Sequence, residues 1–282
     1  MSSPAIGQPS IPPTPSDANV SGKTVIVTGG ASRMILACRS IEKGQEAASA
    51  LRAHPTVKET NPNAVIEAFE LDLDDYQSGL CFSDRVKAEV KELDILLNNG
   101  GQVVMGYEKS KSGHERSMQG SATQIMQNTL SKQHLSSEST VLGHFDDEAN
   151  FNKLYRYADS KTIVNAYVRR LAALAPSEVV VNNACPGLVQ TGIDKNLPFY
   201  LKLPMGLLRK STGRTVEEGA RTLIYAAVVA GTETNGKFLQ HNQVDPGAEF
   251  LNTAEGEGFI SKLWKESVQD VAATDPALGS YA

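Results

Sequence analysis

The chain has 282 residues, of which 40% are hydrophobic and 21% charged, with a formal net charge of -5; this is a globular balance, long enough for one large α/β domain. Acids and bases are interspersed without a basic face, which argues against nucleic-acid binding, and no apolar run approaches the ~20 residues of a membrane span. Three widely spaced cysteines (Cys38, Cys81 and Cys185) point to neither a disulfide framework nor a zinc site and fit a reducing, cytoplasmic setting.

Residues 1–22 are rich in Pro and Ser. Such a segment buries too little surface to order itself, so it reads as a flexible leader ahead of a domain spanning 23–282. It lacks the basic region and apolar core of a secretory signal. Val25-Ile26-Val27 then forms a β-branched run ending in Thr28-Gly29-Gly30, the pattern of a strand buried on both faces and followed by a glycine turn. A second such strand, Met34 to Cys38, begins only a few residues later. Parallel neighbours need a crossover of about a dozen residues or more, usually a helix. If both strands belong to one parallel sheet, that helix is missing.

Ser40 to His54 reads as a serine-capped helix, Ala64 to Leu73 as a strand, Tyr76 to Leu93 as a helix, and Leu93 to Leu97 as a strand closing in Asn98-Asn99-Gly100-Gly101. This alternation predicts an α/β fold with a Rossmann-like, doubly wound parallel sheet in a single domain. Within the weakly patterned 102–140, Ser117 to Ser131 reads as a possible helix with a thin apolar stripe. Further on, Val179 to Val181 reads as a strand, 197–209 as an apolar loop or short helices, and 215–229 as a helix opened by a Thr215–Glu218 capping box. Gly236 to Gln240 reads as a last strand and Thr253 to Val271 as a C-terminal helix. The five histidines show no metal-ligand spacing.

The stretch 151–171 carries the chemistry. Tyr157 and Lys161 stand four residues apart, one turn apart on one helix face. A fixed ammonium beside a phenol favours the phenolate, so this spacing predicts a tyrosine made acidic enough for general acid–base work. By itself the spacing equally describes a surface lysine beside a tyrosine packed at the helix edge.

Strand-Thr-Gly-Gly, Cys38-Arg39-Ser40, Leu71-Asp72-Leu73, Asn98-Asn99-Gly100-Gly101, Ser136-Ser137-Glu138, Tyr157-x-x-x-Lys161 and Asn183-x-x-Pro186-Gly187-x-x-x-Thr191 occur in this order. Together they resemble the short-chain dehydrogenase/reductase family over essentially Lys23 to Val271. The ILACRS segment is similar to the subgroup of retinol-dehydrogenase-like and secondary-metabolite reductases. The resemblance implies an NADP-dependent oxidoreductase interconverting a carbonyl and an alcohol on a small, apolar metabolite, with a homo-oligomer as one open option. It implies that Tyr157 is the acid or base and that Lys161 tunes it and holds the nicotinamide ribose. Ser137 would bind the substrate oxygen. Thr28, Gly29 and Gly30 would approach the phosphates, and Asp72 and Leu73 would flank the adenine. Asn99 would line the cleft, and Pro186, Gly187, Val189 and Thr191 would close over the nicotinamide carboxamide. Arg39 would meet the 2′-phosphate, to which a guanidinium offers paired charged hydrogen bonds.

The chain departs from the family pattern in three places. The later glycines and the first crossover helix have no counterpart after Gly30. The segment Met118-Gln119-Gly120-Ser121 lacks the asparagine of the catalytic tetrad, in a possible helix shorter than the family's at this place, and Asn-Asn-Ala-Gly has become Asn98-Asn99-Gly100-Gly101. Two readings follow: a transcript or gene model lacking coding pieces, or a non-catalytic relative that has lost cofactor binding and serves as a partner protein.

Overall fold

The structure, a computed structural model, describes residues 8–18, 20–26, 33–101, 104, 106–119, 140–153, 155–191 and 199–282. Among the described residues there are seven strands, most of them separated by helices. In chain order they are β1 (Thr24–Ile26), β2 (Arg33–Cys38), α1 (Ile41–Ala53), α2 (Pro55–Thr60), β3 (Val65–Glu70), α3 (Tyr76–Glu89), β4 (Ile95–Leu96), α4 (Arg116–Gln119), α5 (Val141–Asp146), α6 (Arg156–Leu174), β5 (Asn183–Cys185), α7 (Phe199–Thr212), α8 (Val216–Ile224), β6 (Phe238–Gln240), β7 (Gln243–Asp245) and α9 (Ala254–Val271).

The first four strands form a parallel sheet in the order β3-β2-β1-β4. Successive residues of a strand face opposite sides. Met34 and Ile66 accordingly pack with Ala48 of α1, whereas Ile35 and Phe69 pack with Phe82 and Val86 of α3. That is the expected doubly wound layering. β1 and β2 are parallel neighbours, with Thr24 opposite Arg33 and Ile26 opposite Ile35. Residues 27–32 connect them and lie outside the described residues. Six residues fall short of the dozen or more that a crossover between parallel neighbours needs. At the β4 edge Leu96 is 55% exposed.

The remaining strands make a second sheet, β5-β6-β7, with β5 and β6 parallel and β6 and β7 antiparallel. Among the described residues no strand pairing joins the two sheets. The fifth strand lies at Asn183–Cys185 rather than Val179–Val181. Register with Phe238–Gln240, not β-branched propensity, decides which residues pair. Residues 199–212 form one helix through Pro204 where a loop or short helices were expected. The predicted capping box at Thr215 and Glu218 is present, with both reciprocal hydrogen bonds formed. Of the proline-rich leader, expected to be flexible, Ile11 is buried at 3% exposure.

The largest apolar cluster belongs to the C-terminal half, where Val141 and Phe145 of α5, Ile163 and Ala166 of α6, and Phe259, Ile260 and Leu263 of α9 meet. His114 ties this layer together. Its Nδ1 lies 2.7 Å from Asp146 and its Nε2 2.9 Å from Asp270. The hydrogen bond to Asp146 does most to lift its pKa to about 9, against burial and with help from Asp270. This half-buried loop histidine thus acts as a clamp between α5 and α9.

Gly44 sets how closely α1 approaches the sheet. A Cβ there would meet Ala68 Cβ at 2.8 Å and crowd Cys38 Sγ. Gly44→Ala should therefore destabilise the protein by about 1–3 kcal/mol, overriding the ~1 kcal/mol propensity gain of alanine. Gly79 in α3 has nothing within 4 Å, so Gly79→Ala should raise stability by roughly 0.5–1 kcal/mol. Urea unfolding of both variants checks this, and a stabilised Gly44→Ala would contradict the packing.

Candidate active site

Helix α6 starts where Arg156 is locked. The Arg156 guanidinium is 2% exposed and Glu115 is fully buried; their closest approach is 3.8 Å. Arg156 also donates to Asn150 O at 2.9 Å and stacks on Phe145 and Phe151. One residue later comes Tyr157, and a turn on comes Lys161, whose Nζ sits 4.8 Å from the Tyr157 ring centroid. The predicted pairing is therefore made. A further turn on, Asn183 of β5 donates to Asn165 Oδ1 at 2.6 Å, fixing the helix against the second sheet.

The electrostatics run opposite to the expectation. Burial pushes Tyr157 up to about 12, with the nearby Cys185 adding to it and Arg209 opposing it. Burial likewise pushes Lys161 down to about 7. The cause is depth: Lys161 is 1% exposed, and its Nζ has no hydrogen-bond partner among the described residues. By the pH at which the phenol titrates, the amine is already neutral, so no fixed charge acidifies Tyr157.

Cys185, at the end of β5, lies within electrostatic reach of Tyr157, Lys161 and Arg214. From it leaves the loop carrying Pro186, Gly187, Val189 and Thr191. Gly187 N donates to Cys185 Sγ at 3.4 Å, and Gly187 adopts a left-handed φ of 76°. Arg209 donates to Val189 O at 2.7 Å. Arg214 is 3% exposed, donates to Pro186 O at 2.8 Å, and pairs its main chain with Leu188 and Gln190. The structure thus gathers Tyr157, Lys161 and the Pro-Gly loop around one point. Arg209 and Arg214 were not identified from the sequence, because their roles are tertiary contacts with no motif of their own.

A second group lies at the C-terminal ends of β2 and β3 and just after β4. Asp72 pairs with Lys111 at 2.8 Å, and that bond, more than the nearby Arg39, holds its carboxyl below the usual range. Leu73 packs on Gly100, where a Cβ would stand 2.8 Å from Leu73 Cδ1. The glycine that replaces the family's alanine therefore makes room for Leu73. Asn99 is exposed beside it. Thr28, Gly29, Gly30 and Ser137 lie outside the described residues, as does the possible helix Ser117–Ser131 beyond Gln119; its first residues, Ser117 to Gln119, are helical in α4. The described residues fit a nicotinamide dinucleotide at both ends. Lys161 offers a buried donor in need of an acceptor, and Arg39 offers a guanidinium beside an Asp72 already paired by Lys111.

No protein-family model matches the chain. It is 79% identical over 295 residues, 87% of this chain and 82% of the relative, to the short chain dehydrogenase sor7 of Hypocrea jecorina (strain QM6a). It is 32% identical over 317 residues, 95% of this chain and 98% of the relative, to a short chain dehydrogenase of Arthrobotrys oligospora. Both aligned spans exceed the 282 residues of this chain, so internal stretches of the relatives have no counterpart here. A gluconate 5-dehydrogenase from Burkholderia cenocepacia J2315, solved with NADP and tartrate, shares the fold with a TM-score of 0.51 and 17% identity, over 79% of this chain and 94% of that one.

The depressed Lys161 has a signed consequence. The unfolded chain keeps this proton to 10.5, while the folded chain releases it above about 7. Between those values the unfolded state binds more protons, so stability rises with pH across that window. Lys161→Met should remove this dependence and be the more stable protein at pH 7, by an amount on the order of a few kcal/mol. Urea midpoints at pH 7 and pH 10 for both chains measure it. Parallel pH dependences would show that the amine is not desolvated.

Proposed function

This chain belongs to the short-chain dehydrogenase/reductase family, and we propose that it is an NADP-dependent oxidoreductase interconverting a carbonyl and an alcohol on a small apolar metabolite. The observation that carries this reading is the buried Tyr157–Lys161 pair near Cys185, the residue from which the Pro186–Thr191 loop leaves. The dinucleotide supplies or accepts the hydride when bound. Tyr157 gives its proton to the carbonyl oxygen in reduction and takes it back in oxidation, with Ser137 as the second hydrogen-bond partner of that oxygen. Lys161 near pKa 7 needs an acceptor. Lys161 would find one in the nicotinamide ribose hydroxyls, and that hydrogen bond would favour its ammonium and restore the positive charge beside the Tyr157 ring. Tyr157 thus becomes a competent acid only when the cofactor end of the site is filled. Arg39 at the end of β2 favours NADP through its charge and fork geometry. Leu203 and Leu207 on α7, 82% and 69% exposed, are uncovered apolar side chains in keeping with an apolar substrate. A place in secondary metabolism rests on the subgroup resemblance.

One observation favours a second reading. Residues 27–32 are too few to build the crossover helix whose N-terminus would hold the pyrophosphate. On that reading the chain keeps the acid–base pair but binds no dinucleotide, and acts as a partner protein.

Titration with NADPH, followed by nicotinamide fluorescence, separates the two. The first reading expects saturable binding, and its absence at millimolar cofactor supports the second. Tyr157→Phe should leave the NADPH Kd within about threefold while lowering kcat by roughly 10²–10⁴. Undiminished turnover in that variant would contradict the assignment of Tyr157.

A further inference from the structure

The leader reaches across the molecule to the Pro-Gly loop. Gln8 Oε1 accepts from Leu188 N at 3.1 Å, while Gln8 Nε2 donates to Leu188 O at 3.3 Å and to Thr212 O at 2.7 Å. One primary amide therefore engages both main-chain polar groups of one loop residue, whose C=O also accepts from Arg214 N at 2.8 Å. Pro9 O accepts from the buried Arg214 Nη2 at 2.6 Å, and Ile11 O from Arg221 Nη1 at 3.3 Å. Gly187 permits the fit, because a Cβ there would collide with Gln8 Oε1 and Arg214 Nη1.

The grip is narrow. Ile11 is the leader's buried side chain. Beyond it Pro12 to Pro15 rim a cleft of about 440 Å³ facing Arg221, Tyr225 and His241 rather than packing into it. A segment held by a few hydrogen bonds and one apolar anchor belongs to the low-stability end of a structure, where local opening is cheap.

We propose that residues 8–11 form a strap whose Gln8 carboxamide takes the seat of the nicotinamide carboxamide, so that strap and cofactor bind in exchange. The inference rests on the cofactor reading of the Pro186–Thr191 loop given above. Its chemistry is shared: Gln8 and nicotinamide both present a primary amide with one acceptor oxygen and two N–H donors. On the cofactor reading the carboxamide would dock on the main chain of the same Pro186–Thr191 loop, where Gln8 already occupies Leu188 N–H and C=O. Docked, the strap lowers the population competent to bind cofactor, and the apparent Kd rises by the same factor. Because the competition is confined to the carboxamide, an adenosine ligand without nicotinamide escapes it.

The test uses the full chain with Gln8→Ala, which removes the amide, and Ile11→Ala, which loosens the anchor and leaves the amide intact. Calorimetry with NADPH and with 2′,5′-ADP gives the readout. Both variants should bind NADPH roughly 3–10-fold more tightly, the range one hydrogen bond supplies, with 2′,5′-ADP affinity unchanged. Binding of NADPH by the variants alone supports the exchange most strongly. Equal NADPH affinity in wild type and both variants overturns the strap and leaves the cofactor reading standing. No saturable NADPH binding by any of the three chains overturns the cofactor reading and the exchange with it.

Discussion

Desolvation of the Tyr157–Lys161 pair is the constraint on which the site depends. Helix α6 is drawn inward because Ile163 and Ala166 join α5 and α9 in the main apolar cluster. Each fully buried large aliphatic or aromatic side chain there contributes about 1.5–3 kcal/mol. Lys161 lies on the other side of the helix, near Tyr157 and Cys185 of β5, and is carried out of water because α6 is buried on that face as well. The core thus offsets the cost of an unpartnered amine, and a helix less well packed would let Lys161 hydrate and hold its proton. Arg156, locked between Glu115 and Asn150, fixes the rotation of the helix start, and Asn165 fixes its middle against β5.

The two halves of the molecule differ in how completely they are built. The C-terminal half has the largest core, the His114 clamp and a fully formed capping box. The N-terminal sheet carries one helix on each face, α1 and α3, over β2 and β3. Its β1–β2 connection is too short for the helix that would cover the rest. The proposed acid–base pair and the loop proposed to take the carboxamide lie in the complete half. Most of what would hold the adenosine and pyrophosphate lies in the other. The exchange proposed for Gln8 acts at the complete end, where the leader meets the loop beside Arg214.

Local signals were legible in the sequence. Ser40 before an Ala/Glu/Lys run gives α1, Thr215 and Glu218 give the start of α8, and alternation of strand and helix gives the sheet. The four-residue spacing of Tyr157 and Lys161 was enough to place them together. It could not give the sign of their coupling, because burial depth belongs to the packed molecule. The strand expected at Val179–Val181 shifted to Asn183–Cys185 because pairing with β6 outweighs intrinsic preference. Arg214, Arg209 and Gln8 had no local signature. Gln8 lies 180 residues from Leu188 in sequence, and nothing in a proline-rich leader indicates where one of its amides will dock.

The most direct test is the titration of Lys161 itself, followed by ¹⁵N NMR of its side-chain amine, with Lys161→Arg to assign the resonance. The predicted midpoint in the free protein is about 7, moving upward toward 10.5 when NADPH is added. A free-protein midpoint at the ordinary lysine value, unmoved by NADPH, would contradict the desolvated pair and the cofactor-coupled activation built on it.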